Sequence, residues 1–303
     1  MTVSVVLPVY NGELYLKDAI SSILNQTFND FEFIIINDGS TDNSLNIIKS
    51  FNDNRIVLID QQNQGLAKSL NNGLRKAKGK FIARMDADDI ALPKRFENQI
   101  KYLESRPNVK LLGTAIDMID KDGNIIATDV PYVGDAFLKK FLKKIGNPFK
   151  HPTVMFDREI ALKVGGYNED IGKYFEDYFL WNEIAHYGDV EILNEVLLKY
   201  RVTPGSIMSS VKSNDFSKFM VHVINKRSFT ETDFIEMNRI KNIDNKELNI
   251  IDKESVYNKR IAGTINNKMN RLFLFIESLI GKSYALLILS YIKKLRVFSK
   301  IYL

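Results

Sequence analysis

The chain contains no cysteine, which excludes a disulfide framework, thiolate metal sites and a cysteine nucleophile together, and fits a reducing compartment. Histidine is scarce: His151, His186 and His222 have no spacing suited to a paired metal site. No uninterrupted apolar run reaches the roughly 18–20 residues needed to cross a bilayer. The N-terminus, MTVSVVLPVYNG, has neither the basic segment nor the long apolar stretch of a secretory signal, so it reads as a first strand. Charge of one sign is not in large excess either, with 42 Lys and Arg against 37 Asp and Glu, and no nucleic-acid partner is expected. The small surplus, +5, gathers at the end, where Lys282, Lys293, Lys294, Arg296 and Lys300 occur with no acidic residue among them.

The chain has 303 residues, 45% hydrophobic and 26% charged, enough for one large α/β domain and a smaller C-terminal appendage. Apolar runs of strand length, Val3–Val9, Phe31–Ile36, Arg55–Ile59 and Lys80–Met85, alternate with segments of helical period. Strands that are apolar almost throughout, each followed by a helix, predict a Rossmann-like parallel sheet covered on both faces. Ligands of such sheets sit beyond the carboxyl ends of the strands. Here those ends carry Tyr10-Asn11-Gly12, Asn37-Asp38-Gly39-Ser40, Asn63-Gln64-Gly65 and Asp86-Ala87-Asp88-Asp89.

Beyond residue 107 two longer strands, Val109–Ile119 and Ile125–Val130, flank a hairpin signal at Asp122-Gly123. A helix over Asp135–Ile145, a strand over His151–Phe156, a helix from Glu176 and a strand over Val190–Arg201 are expected to complete the domain. Residues 1–210 thus form the main domain, with a ligand-binding half over 1–106 and a second half over 107–210. Residues 211–303 form a helical extension. Within it, 266–303 is basic and amphipathic, suited to lying on an anionic membrane surface or to packing on the domain or on a second copy of the chain.

Alternating aspartates after a strand can hold a hard divalent cation through carboxylate oxygens, and Asp86-Ala87-Asp88-Asp89 fits Mg²⁺ or Mn²⁺. A local reading competes, in which Asp89 caps the helix that starts at Pro93. The order of segments then becomes informative. VSVVLPVYNG (3–12), FEFIIINDGSTDNS (31–44), NQGLAKSLNNGLRKAKGKFIARMDADD (63–89), HPTVMF (151–156), GGYNEDI (165–171), FEDYFLW (175–181) and YRVTPGS (200–206) resemble the family 2 glycosyltransferases over at least residues 3–206.

That resemblance implies a GT-A fold and transfer of a sugar, with inversion, from a nucleotide donor, expected to be UDP-linked, to a glycan or a lipid-linked glycan. It places the base among Pro8, Val9, Tyr10, Asn11 and Asp38, the ribose on Asp86 beside Ala87, and the cation on Asp88. Gly65, Lys68 and Arg84 complete the nucleotide set, with Arg84 equally suited to an ion pair with a nearby aspartate. Asp177 is the expected base for the acceptor hydroxyl and Glu176 its neighbour, about 100° around the helix; alternatively, both acids simply open that helix at its positive end. Arg201 is expected to pair with phosphate from a closing loop over 203–206, His151 to touch substrate, and Trp181 to offer a sugar platform or to pack in the core. Two departures stand out: Thr203 where relatives commonly carry histidine, and Asn182-Glu183 where they carry arginine. The expected location is the cytoplasmic face of the inner membrane. A dehydrogenase is excluded by the lack of a G-x-G-x-x-G turn after the first strand, and a nucleotidyltransferase by the lack of a glycine-rich basic loop there. A catalytically silent homologue serving as an assembly partner is the non-enzyme alternative.

Overall fold

Strands β1 (Val3–Val9) and β2 (Phe31–Asp38) are buried at every position. The two-residue period of a strand sends alternate side chains to opposite layers. Val5, Leu7, Phe33 and Ile35 pack with Ile20, Ile23 and Phe96, whereas Val6, Ile34 and Ile36 pack with Leu70, Leu74 and Trp181. The computed structural model describes residues 1–171 and 175–203 and, beyond them, parts of 214–302.

Helix α1 (Leu16–Leu24) follows β1, α2 (Ser44–Lys49) follows β2, and α3 (Leu66–Lys76) follows β3 (Ile56–Gln61). With β4 (Phe81–Arg84) these strands pair in parallel in the order β3-β2-β1-β4. Helix α3 can lie close on β1 and β2 because it carries Gly73 there: a Cβ at that point would stand 2.6 Å from Val6 Cγ1.

The second half is mixed. After the short β5 (Ile90–Ala91) and α4 (Arg95–Ser105) come β6 (Val109–Ile119) and β7 (Ile125–Asp129), an antiparallel hairpin that turns at Gly123 with φ 92°. Helix α5 (Asp135–Lys144) leads by a loop to a 3-10 turn, His151–Thr153, and β8 (Met155–Asp157). The expected strand over His151–Phe156 therefore starts late, because Pro152 has no N–H to give a ladder and favours the turn. Helices α6 (Arg158–Lys163) and α7 (Glu176–Ile184) precede β9 (Asp189–Arg201). Among the described residues the sheet has nine strands in the order β3-β2-β1-β4-β8-β6-β9-β5, with β7 on β6.

Past the sheet lie α8 (Asn214–Lys226), α9 (Lys268–Ile280) and α10 (Lys282–Tyr302). Helix α10 buries Ala285, Leu286 and Leu289 against Ala115 and Val130. Two lysines fasten it: Lys282 Nζ lies 2.7 Å from Asp117 Oδ2, and Lys293 Nζ lies 3.0 Å from Asp129 Oδ1. Its outer face, with that of α9, is apolar and exposed. Seven of the fourteen large apolar side chains exposed among the described residues fall within 274–291: Leu274, Phe275, Leu279, Tyr284, Leu287, Ile288 and Tyr291. No helix among the described residues is long and apolar enough to cross a membrane.

Candidate active site

The carboxyl ends of β1, β2 and β3 are laced together by side chains acting on backbone. Asn11 N–H donates to Ser40 Oγ at 3.0 Å, and the Asn11 amide oxygen accepts from Thr41 N–H at 2.8 Å. Asn11 does this with φ 53°, a left-handed conformation that asparagine tolerates better than most residues. Asp38 anchors the loop into α3: Oδ1 accepts from Gln61 Nε2 and Gln64 N–H, both at 2.8 Å, and Oδ2 accepts from Gly65 N–H at 2.9 Å. An ionised carboxylate offers about four acceptor positions, so one remains on Asp38 for a further donor. Tyr10, Gly65 and Lys68 are exposed along this edge, while Pro8 and Val9 are buried within β1 and offer it only backbone.

Beside it runs the aspartate loop after β4. Ala87 faces Gly12, where a Cβ would come within 3.4 Å of the Ala87 Cβ, so the loop lies against the end of β1. Arg84 is 1% exposed; it donates to the Met85 carbonyl and, at 2.6 Å, to Asp86 Oδ1. The ion-pair reading of Arg84 therefore holds, and its buried guanidinium gives no direct phosphate contact. Asp88 is half-buried, and burial together with the Asp86 charge pushes its carboxyl up to about 7. Asp89 is fully buried; one oxygen accepts from Arg201 N–H at 2.7 Å and the other has no partner among the described residues. It thus fastens the end of β9 and does not cap α4. Burial lowers the Arg95 guanidinium to about 9, and Arg95 donates to the Arg84 carbonyl at 2.8 Å, so a second cation lies beneath the acids.

Glu176 and Asp177 open α7. Phe175, just before them, has φ 63°, a conformation costing a bulky residue roughly 1–2 kcal/mol, and such strain clusters where a chain must aim particular side chains. Asp177 is half-buried. Its Oδ2 accepts from Asn147 Nδ2 at 2.7 Å and its Oδ1 from Tyr178 N–H at 2.7 Å. Burial nonetheless pushes it up to about 6. Glu176 is deeper, with Oε1 3.6 Å from His151 Nδ1, and burial plus the Asp177 charge push it up to about 8. The pair therefore gives its first proton from Asp177. Both acids feel the charges of Arg84 and Asp86, which places the two acidic groups in one electrostatic neighbourhood.

Of three sequence-based expectations, one is decided between its alternatives and two give way here. Trp181 is 0% exposed among Phe156, Tyr167 and His151, so it is a core residue and no sugar platform. Arg201 is 5% exposed, its guanidinium donating to the carbonyls of Asp88, Asp120 and Lys121 and lying 4.3 Å from the Tyr15 ring centroid. It ties three loops together, with no fork left for bidentate pairing with phosphate. His151 bonds Tyr167 Oη at 3.2 Å and is held neutral, well below the usual histidine range, by burial and by Arg84; it stands behind Glu176, not at the open face. Residues 204–206 of the expected closing loop lie outside the described residues.

Asn147 was invisible as a site residue because Gly146-Asn147-Pro148 signals a turn, and its Oδ1 does accept from Phe149 N–H at 3.0 Å. Its amide reaches Asp177 only through the tertiary fold. No group of three or more His, Cys, Asp or Glu arranged for a cation occurs among the described residues. Asp88, with the crowded negative charge of Asp86 beside it, nonetheless suits a divalent cation whose other ligands are phosphate oxygens.

An α/β fold of this topology, with an aspartate loop after the fourth strand and an acidic helix start, is of the GT-A type found in glycosyltransferases. The model of the glycosyl transferase family 2 matches residues 4–165, and the chain belongs to that family. A glycosyltransferase of Methanocaldococcus jannaschii is 38% identical over 239 residues, 75% of this chain and 81% of its own length. The O-antigen biosynthesis glycosyltransferase WbnJ of Escherichia coli is 35% identical over 69% of this chain and 82% of its own, and the amylovoran biosynthesis glycosyltransferase AmsE of Erwinia amylovora is 36% identical over 65% and 75%. Among solved structures, S. aureus TarS 1-349 in complex with UDP-GlcNAc superposes with a TM-score of 0.58 at 19% identity, covering 94% of this chain and 84% of its own. The mannosyltransferase PcManGT of Pyrobaculum calidifontis, in complex with GDP-Man and Mn²⁺, does so with 0.53 at 17% identity, covering 97% and 80%. Likeness at that identity bears on fold alone.

Proposed function

We propose that this glycosyltransferase moves a sugar, with inversion, from a UDP-linked donor to a hydroxyl of a growing or lipid-linked glycan in cell-surface polysaccharide assembly. The observation that carries this reading is Asp177: a half-buried carboxylate, oriented by Asn147, ionised at neutral pH and set beside the aspartate loop. The polysaccharide setting is supported by the names of the amylovoran and O-antigen relatives, and a UDP donor by the acceptor position left on Asp38, which suits the imide N–H of uracil.

In the reaction the acceptor oxygen attacks the anomeric carbon from the face opposite the diphosphate. The bond to the diphosphate breaks as the new glycosidic bond forms, and the hydroxyl proton passes to Asp177. Taking that proton late in the displacement is typically worth 10²–10⁴-fold, on the order of 3–5 kcal/mol. Glu176 still carries its own proton at neutral pH and leaves the task to its neighbour. The remaining acceptor position on Asp38 suits a base N–H, Asp86 a ribose hydroxyl, and Asp88 a divalent cation. That cation, Mg²⁺ or Mn²⁺, would stabilise charge on the departing diphosphate. The exposed apolar face of α9 and α10 supports contact with a membrane surface, where a lipid-linked acceptor would lie.

The test is Asp177→Asn. It should abolish transfer from UDP-glucose, UDP-galactose or UDP-N-acetylglucosamine while leaving UDP binding intact, and a variant of near-normal rate would mean that another group takes the proton. A wild-type chain inert toward every nucleotide sugar would favour the silent-partner reading instead.

A further inference from the structure

Asp129, at the end of β7, sits between two lysines that arrive from different parts of the chain. Lys150 Nζ lies 2.9 Å from its Oδ2, and Lys293 Nζ lies 3.0 Å from its Oδ1. Burial opposes ionisation there, yet Lys150 and Lys293 together hold the Asp129 carboxyl well below the usual carboxylate range.

The two lysines have different tasks. Lys293 belongs to α10; it also donates to the Val130 carbonyl at 2.7 Å and stands 4.5 Å from the Tyr132 ring centroid. Lys150 ends the loop that carries Asn147, and the next residue is His151, the partner of Glu176. The side-chain contacts of Asn147 to Asp177 and of His151 to Glu176 therefore come from the segment that Lys150 secures. The other end of that segment also leans on α10: Phe137 and Phe141 of α5 pack with Tyr132 and Val297, and Lys294 lies 5.2 Å from the Phe137 ring centroid. Between the two ends, a Cβ at Gly146 (φ 148°) would meet no neighbour within 4 Å, and the loop is otherwise held by the Gly146 N–H on the Phe141 carbonyl at 3.1 Å and by Phe149 buried in the core.

We propose that α10 takes part in the reaction through this segment: the Lys293–Asp129–Lys150 clamp holds residues 146–151 where the Asn147 amide meets Asp177. Lys293, Asp129 and Lys150 are then positioning residues for the proton acceptor, and the C-terminal helix is a component of the acceptor side as well as its outer cover. This rests on the reading of Asp177 as the base.

The structure supplies its own control. Lys282 holds the other end of α10 on Asp117, at 2.9 Å and 2.7 Å from its two oxygens, without touching the loop. In the full-length protein at pH 6, with the fastest-used of UDP-glucose, UDP-galactose and UDP-N-acetylglucosamine as donor, Lys293→Met should lower kcat about 3- to 5-fold, the effect of displacing one charged hydrogen bond to the base, and by less than about twofold at pH 7. UDP affinity by calorimetry should not change. Lys293→Arg should restore most of the rate, and Lys150→Met should repeat the loss. Lys282→Met should lower the melting temperature with kcat kept. The decisive arm is the pair Asn147→Ala with Lys293→Met, which should be no slower than Asn147→Ala alone if the clamp works through that amide. Full speed in Lys293→Met, losses that multiply in the double variant, or an equal kcat loss in Lys282→Met would each overturn the proposal. Near-normal activity of Asp177→Asn would overturn the base reading beneath it, and so the two failures are distinguishable.

Discussion

Asn147→Ala isolates how the fold tunes its base. The Asn147 amide donates to Asp177 Oδ2 at 2.7 Å, and a hydrogen bond to a charged group is worth about 1.5–3 kcal/mol. Asp177 is half-buried, so water recovers part of that, and a differential of about 1.4 kcal/mol is left, a factor of about ten in the ionisation constant. The bond favours the charged form; losing it raises the carboxyl further above its present value of about 6. A base must be ionised to work, so the acidic limb of kcat should move up by about one pH unit. At pH 7 the ionised fraction would fall from about nine-tenths to about one-half, and by pH 8.5 the loss from ionisation would nearly vanish. The assay is kcat from pH 5 to pH 9 for the wild type and the variant with the same nucleotide sugar. An unmoved limb, or a deficit equal at every pH, would refute the electrostatic role of Asn147. Glu176, pushed up to about 8 by burial and the Asp177 charge, stays mostly protonated up to about pH 7, and its own ionisation falls on the alkaline side of the same profile.

Other variants probe the remaining assignments. Asp88→Asn should remove the gain in UDP affinity that Mn²⁺ confers, about tenfold or more for the loss of one charged ligand, by calorimetry with and without the cation; a gain that persists would place the cation elsewhere. Trp181→Ala should cost about 3–5 kcal/mol of stability, as expected for emptying a core site of this size, with acceptor KM unchanged in the folded fraction, and a melting temperature that barely moves would contradict its burial. Ile288→Glu paired with Tyr291→Glu should weaken binding to phosphatidylglycerol vesicles without altering kcat on a soluble acceptor; unchanged vesicle binding would leave the outer face of α10 to a protein partner.

The parts of this molecule that could be read from sequence are those whose cause is local. Val3–Val9 and Val109–Ile119 were delimited by their apolar runs, and both ends match the structure. Asp122-Gly123 announced its turn because only the glycine takes φ 92° without cost. The strand over His151–Phe156 failed for an equally local reason, Pro152, whose missing N–H was there to be read. Burial of single polar residues was not legible. Arg201 looks like a phosphate ligand in isolation and becomes a tie between loops only when Asp88, Asp120 and Lys121 present their carbonyls to it. Trp181 follows Asp177 by four residues and so shares its helical side, but the packing of Phe156 and Tyr167 closes that side off. Asn147 and the Asp129 clamp depend on segments 30 and more than 160 residues distant, and no pattern in the sequence joins them.

The same contrast bears on why the proposed cation suits the edge that Asp86 and Asp88 form. Every arginine near the aspartate loop is already spent inward: Arg84 on Asp86 and a carbonyl, Arg95 on carbonyls and Gln99, and Arg201 on three carbonyls. What faces the cleft is acidic, and burial, together with the Asp86 charge, pushes Asp88 up to about 7 even with Arg84 paired to Asp86. A diphosphate entering this edge would bring further negative charge against carboxylates, at a cost that grows as water is excluded. Lys68, exposed in the first turn of α3, can offset part of it, and the positive end of that helix a fraction of a charge more. The rest has to arrive with the donor. A divalent cation held by Asp88 and shared with the phosphates meets that need, so donor affinity, and not the chemical step alone, should depend on it.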